Sequence, residues 1–167
     1  MIYIEEINDN IDQPTQSSIA RKLLLRGLKN EFGIKEMPKW EYSEFGKPYF
    51  RDHPNLHFNL SHCNRAVVCA IDKNPIGIDV EIIHKFDEEL ARYISTYKEF
   101  ETIIKSPDPS LSFTILWTKK ESFMKLTGKG LSTRQEIQDC LFNNSSRFFT
   151  SVNETGGYVI TSCQYVR

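Results

Sequence analysis

Residues 76–82 read Ile-Gly-Ile-Asp-Val-Glu-Ile, and that strict alternation leaves the chain little choice. Successive side chains of a strand point to opposite faces, whereas a helix would scatter these aliphatics around its circumference. The segment is therefore a strand, running to about residue 83. Ile76, Ile78, Val80 and Ile82 face a core, and Gly77, Asp79 and Glu81 lie on the other side. Two carboxylates on one face repel unless water or a cation lies between them. Spacing alone favours an ordinary half-exposed strand with a solvated polar face. The other reading is a pair of hard oxygen ligands for magnesium, which keeps several waters and takes phosphate oxygens as well. Gly77 beside them would let a bulky anion approach the backbone.

Around this strand the pattern is mixed. Residues 2–7 alternate as a short strand, and residues 8–16 are polar and read as a loop. Ser17 or Ser18 caps a helix through Ile19, Leu23, Leu24 and Leu28 to about Phe32, with Gly33 as its stop. Residues 56–60 alternate, residues 66–71 form a second strand, and the turn Asp72-Lys73-Asn74-Pro75 makes residues 66–83 a hairpin. Residues 87–104 read as one polar helix. A loop at 106–110 leads into a second helix over 111–127, closed by Gly128. The tail reads as β over residues 136–142, 147–152 and 158–166, with Gly156-Gly157 turning the last pair. The seam between halves falls near residues 82–86.

The helix over 111–127 carries the second chemical signal. At 100° per residue, Phe113, Leu116, Trp117, Phe123 and Met124 share a broad face. Lys120 falls in the middle of that face, Glu121 on its edge, and Lys125 one turn beyond Glu121. A lysine in an apolar stripe either runs its stem over the core to reach water or meets a buried anion. Glu121 and Lys125 as an exposed i,i+4 pair would be worth only about 0.3–0.5 kcal/mol. An ordinary amphipathic helix satisfies this pattern. So does a carboxylate with two ammonium groups lining a cleft for a metal-bound pyrophosphate. His62 reads either as a strand-end residue or, with the Ser61 hydroxyl, as an anion contact.

Composition removes several classes. Twenty-one Lys and Arg against twenty-two Asp and Glu give a net charge of -1, which argues against a nucleic-acid partner. The longest purely apolar run, residues 66–71, is far short of the ~20 residues a spanning helix needs. The first residues lack the basic-then-apolar order of a signal peptide. Cys63, Cys69, Cys140 and Cys163 show no paired metal spacing and read as buried thiols in a reducing compartment.

Several segments, in order, resemble the Sfp-type 4′-phosphopantetheinyl transferases. They are Phe45-Gly46-Lys47-Pro48-Tyr49, Phe58-Asn59-Leu60-Ser61-His62 and Gly77-Ile78-Asp79-Val80-Glu81. Then come Trp117-Thr118-Lys119-Lys120-Glu121-Ser122-Phe123-Met124-Lys125 and Gly128-Lys129-Gly130-Leu131. The resemblance implies an α+β fold of two similar α/β halves, residues 1–82 and 83–167, related by a pseudo-twofold with the active site between them. It implies transfer of the phosphopantetheine arm of coenzyme A to a serine of an apo acyl or peptidyl carrier protein, with adenosine 3′,5′-bisphosphate leaving.

By position in the resembling motifs, Asp79, Glu81 and Glu121 look like ligands of magnesium, or of manganese in its place. Lys120 and Lys125 look like cleft lysines near the pyrophosphate, and Lys47, Ser61 and His62 like coenzyme A contacts. Arg21 resembles a nucleotide-side basic position. Glu99, in Tyr97-Lys98-Glu99-Phe100, resembles an extra acidic residue that joins Glu121 and Lys125 in the catalytic set. The segment ahead of Ser17 is shorter than is usual in the family, and the basic residues often carried there have no counterpart. That departure motivates a second reading, a non-catalytic relative that binds coenzyme A or the carrier. A third, from the clustered carboxylates alone, is a metal-dependent phosphodiester hydrolase. The two-half layout implies a monomer, while the cysteines and the short apolar runs point to a cytoplasmic protein with no membrane partner.

Overall fold

The computed structural model describes residues 1–8, 11–130, 133–142 and 145–166. In chain order its elements are β1 (Ile2–Glu6), α1 (Gln13–Phe32), β2 (Trp40–Tyr42), β3 (Pro48–Phe50), β4 (His57–His62), β5 (Ala66–Asp72) and β6 (Ile76–Ile82). They continue with α2 (Glu88–Ile94), α3 (Tyr97–Ile104), α4 (Pro109–Thr127), α5 (Arg134–Asp139), β7 (Ser146–Asn153) and β8 (Tyr158–Tyr165). Leu131, in the last of the family-like segments, lies outside the described residues, as do two positions of the polar stretch over 8–16.

Helix α1 begins earlier than the expected cap at Ser17 or Ser18. The Asp12 carboxylate accepts the Thr15 amide at 3.0 Å, and Pro14 in the first turn has no N–H to orphan. Gly33 ends the helix in the left-handed region, φ 70°, as expected. Leu23, Leu24 and Leu28 are wholly buried against Phe58, Val67, Cys69 and Ile71. Phe58 stacks on both Phe50 and Trp40, with centroids 4.5 and 5.3 Å away.

The expected hairpin over 66–83 does not form. Strand β5 is the middle of a three-stranded antiparallel sheet ordered β1-β5-β4, so both its edges are already occupied. β6 leaves for a second sheet, ordered β6-β8-β7, and pairs with β8 from Ile76↔Gln164 to Ile82↔Tyr158. β5 still serves both cores. Its Val67, Cys69 and Ile71 meet α1, while Ala66, Val68 and Ala70 meet Ile76, Ile78, Val80, Tyr158 and Ile160.

β4 and β6 lie side by side without a backbone ladder. Asn59 Oδ1 accepts the Ile78 amide at 3.2 Å, and Ser61 Oγ accepts the Val80 amide at 3.4 Å. Two buried side chains thus stand where carbonyls would in a continuous sheet.

Two further expectations fail for one reason. The single helix over 87–104 is two helices, because Ser95 and Thr96 are extended and Thr96 forms a capping box with Glu99 that restarts the chain as α3. The strand over 136–142 is instead α5, opened by a capping box between Thr133 and Glu136. The remaining tail strands form, and the fold is mixed α+β. No helix among the described residues is long and apolar enough to cross a membrane.

Candidate active site

The alternation of β6 divides its side chains as read from the sequence. Ile76, Ile78 and Val80 join the core, and Gly77 and Asp79 turn to α4. A Cβ on Gly77 would lie 1.9 Å from the Ser122 carbonyl oxygen and 2.5 Å from the Leu126 amide nitrogen. The space beside Gly77 is therefore filled by the α4 backbone, which corrects the expectation of an anion there.

This close approach also corrects the buried face of α4. The residues that bury are Thr114, Thr118, Lys120, Ser122 and Leu126, not the aromatic stripe. Phe113, Leu116, Trp117, Phe123 and Met124 are all partly exposed. Large side chains would hold the helix away from the sheet. The small hydroxyls let it in and satisfy themselves locally: Thr114 on Ser110 O, Thr118 on Ile115 O and Thr161 Oγ1, Ser122 on Lys119 O.

Helix α4 is set for this task by Asp108, which caps its start, and by Gly128, which ends it at φ 66°. One turn before that end, Lys125 points back to β6. Its ammonium donates to Asp79 Oδ1 at 2.6 Å and to Ser61 Oγ at 2.9 Å. The Ser61 hydroxyl donates to Asp79 Oδ1 at 2.9 Å. Asp79 is 2% exposed, and its Oδ2 has no hydrogen-bond partner among the described residues. An unpartnered buried carboxylate oxygen is costly and unusual.

Glu81 and Glu121 stand near enough to feel this charge. Burial, then the Asp79 charge, pushes the Glu81 carboxyl up to about 7, against a hydrogen bond from Trp117 and the Lys125 charge. Burial and Asp79 raise Glu121 as well, with Lys125 opposing. The two glutamates thus hold protons more tightly than free carboxyls do.

Glu121 and Lys125 open onto a cleft of about 550 Å³. Trp117 of α4, Asn59 and Leu60 of β4, and the turn at Gly46-Lys47-Pro48 form part of its wall. Lys129, Gly130 and Ile137 form another part. Lys47 lies over Gly128 and donates to Leu126 O at 2.6 Å, a bond to the exposed carbonyl end of α4. Burial pushes its ammonium down to about 8. His62 is half-buried, its ring lowered in basicity first by burial and then by Lys125.

The other expected residues lie elsewhere. Arg21 is exposed, with its guanidinium 4.6 Å from the Trp40 ring centre, and does not line the cleft. Lys120 turns away from Asp79 to an ion pair with Glu99 Oε2 at 3.1 Å. Asn59 and Trp117 line the cleft in addition to the residues expected from the sequence. Both stand within the family-like segments, beside Ser61 and at the head of the α4 motif, and that adjacency is the signal that could have found them.

Among the described residues, no three His, Cys, Asp or Glu side chains form a ready-made metal centre. The chemistry of Asp79, Glu81 and Glu121 nevertheless fits a hard divalent cation: three carboxylates, two with raised proton affinity, and one buried oxygen without a partner.

Comparison with known proteins points to the same family. Residues 75–163 match the family model described as the 4′-phosphopantetheinyl transferase superfamily. A 4′-phosphopantetheinyl transferase of Bacillus subtilis is 44% identical over 91 residues, covering 53% of this chain and 41% of the relative. The 4′-phosphopantetheinyl transferase psf-1 of Bacillus pumilus is 43% identical over 119 residues, covering 69% and 51%. The 4′-phosphopantetheinyl transferase gsp of Aneurinibacillus migulanus is 42% identical over 125 residues, covering 73% and 52%. The chain aligns with about half the length of these relatives.

Proposed function

The chain belongs to the 4′-phosphopantetheinyl transferase superfamily, and on that premise we propose that it moves the phosphopantetheine arm of coenzyme A onto a serine of an apo acyl or peptidyl carrier protein. The serine hydroxyl releases its proton to water as its oxygen forms a bond to the phosphorus carrying the arm. The P–O bond of the diphosphate bridge breaks, and adenosine 3′,5′-bisphosphate leaves with the electron pair. The observation that carries the reading is the buried, unpartnered Asp79 oxygen, whose charge is felt by Glu81 and by Glu121, the last of which lines the cleft.

Asp79, Glu81 and Glu121 would hold magnesium, or manganese in its place, whose charge draws electron density from the diphosphate oxygens. Lys125 faces the cleft from the same cluster and offsets negative charge as the bridge breaks. Lys47 and His62 line the approach of coenzyme A, and Ser61 orients Asp79. The reading includes two similar halves, residues 1–82 and 83–167, related by a pseudo-twofold. It also includes action as a cytoplasmic monomer.

Incubating the protein with coenzyme A, magnesium and a set of apo carrier proteins tests the reading. The carrier gains the mass of the arm. No gain on any carrier overturns the proposal. Release of adenosine bisphosphate without a carrier would mark a hydrolase, and calorimetric binding without turnover a non-catalytic relative.

A further inference from the structure

We propose that Glu99 and Lys120 are positioning residues, whose ion pair pins α5 and thereby sets one wall of the cleft. Lys120 is 0% exposed. Its ammonium has three N–H groups and three partners: Glu99 Oε2 at 3.1 Å, Ile137 O at 3.0 Å and Gln138 O at 2.9 Å. No donor is left for a ligand. Glu99 Oε2 is engaged as well, accepting the Thr96 amide at 2.8 Å and the Thr96 hydroxyl at 3.0 Å.

Helix α5 needs such a fastening. It is 6 residues long and has no buried residue. Isolated helices shorter than ~12–15 residues do not hold themselves in water, and the half-buried Ile137 is a slight apolar anchor. Its first turn is closed by the Thr133–Glu136 capping box. The carbonyls of its last turn meet Lys120, a cation at the negative end of the helix. On the surface, Arg134 donates to Arg92 O at 3.0 Å and Gln138 to Tyr93 O at 3.0 Å, tying α5 to the end of α2. Polar bonds, with the Arg134 guanidinium 5.4 Å from the Tyr93 ring centre, are the main fastenings of the helix that carries Ile137 to the cleft, next to the connection that carries Lys129 and Gly130. Lys120 adjoins Glu121 in sequence, yet the two face different neighbours: Glu121 the cleft, Lys120 the frame around it.

The kinetic half of the test rests on the transferase reading; the exchange half does not. In Lys120→Met, amide exchange over residues 134–139 rises at least about tenfold, while β5 and β8 keep their protection. The KM for coenzyme A rises about tenfold and kcat stays within about threefold. Glu99→Gln keeps an acceptor for Thr96 and Lys120, so each change is less than half as large on a logarithmic scale. The double variant Arg134→Ala/Gln138→Ala frees α5 from α2 without touching the ion pair and gives the same signature. It decides the matter should Lys120→Met fail to fold. A large fall in kcat in both Glu99→Gln and Lys120→Met, with KM and α5 exchange unchanged, overturns the proposal. If the wild-type protein transfers nothing, the function reading fails, and exchange alone still shows whether Lys120 holds α5.

Discussion

Helices α1 and α4 each lie on a three-stranded sheet, and they do so by opposite means. α1 offers Leu23, Leu24 and Leu28, wholly buried against aromatic and aliphatic partners. Each such leucine contributes about 1.5–3 kcal/mol by leaving water. α4 offers Thr114, Thr118 and Ser122, whose apolar area is small, and meets a strand position with no side chain at all. Burial is exchanged for distance. Only a helix that close to β6 lets Lys125 reach Asp79 at 2.6 Å. The first interface supplies bulk stability; the second supplies placement of charge.

Asp79→Ala separates these roles most sharply. Transfer falls about 10²- to 10³-fold, while the loss of denaturant stability stays below that of Leu24→Ala, because Lys125 is free to turn into the cleft. A carrier assay beside a urea titration checks both. Gly77→Ala comes next and strikes both roles at once. The added methyl displaces α4 at a cost of about 3 kcal/mol, and misplacing Lys125 and Glu121 lowers turnover about 10²-fold. Activity near normal at 20 °C would show that the close approach is not what aligns the site. Leu24→Ala is the converse: about 3 kcal/mol of stability lost to a cavity, with kcat and KM within about twofold, since Asp79, Glu81, Glu121 and Lys125 stand on β6 and α4, outside the core that Leu24 joins.

The smallest effect is a pH dependence of the metal-free protein. Glu81 holds its proton to about 7 when folded, against an ordinary 4.5. Between those values the folded state binds more protons than the unfolded chain, so stability falls as pH rises. The contribution is complete below about 4.5 and gone above about 7, and Glu121 adds to it with the same sign. The melting temperature falls by about 2–4 °C from pH 5 to pH 8. Glu81→Gln flattens that slope, and an unchanged slope would show that the carboxylates do not press on one another.

Much of this was legible in the sequence. The period-2 alternation gave the correct faces of β6, and the capping and stop residues bounded α4 to within two positions. The ordered motifs single out Asp79 and Lys125, which the fold brings within 2.6 Å of each other. What escaped follows one rule: hydrophobic periodicity reports bulk, and the α4 face is built from its absence. The hairpin over 66–83 was misread because a turn between two apolar runs says nothing about whether the first strand has a free edge. The Thr96–Glu99 and Thr133–Glu136 boxes, T-x-x-E in both cases, were readable signals for the break before α3 and for α5. That Lys120 and Glu99 face each other could not be read, because it depends on how three helices pack.

Ser61 donates one hydrogen bond and accepts two, so its hydroxyl is saturated. One of those bonds stitches β4 to β6, and the other two hold Asp79 and Lys125. A joint made of side chains resists shear less than a ladder of peptide groups does. The boundary between the two sheets therefore runs through an atom that also aims the reactive charges, and any sliding of one sheet past the other is felt there as a change of aim.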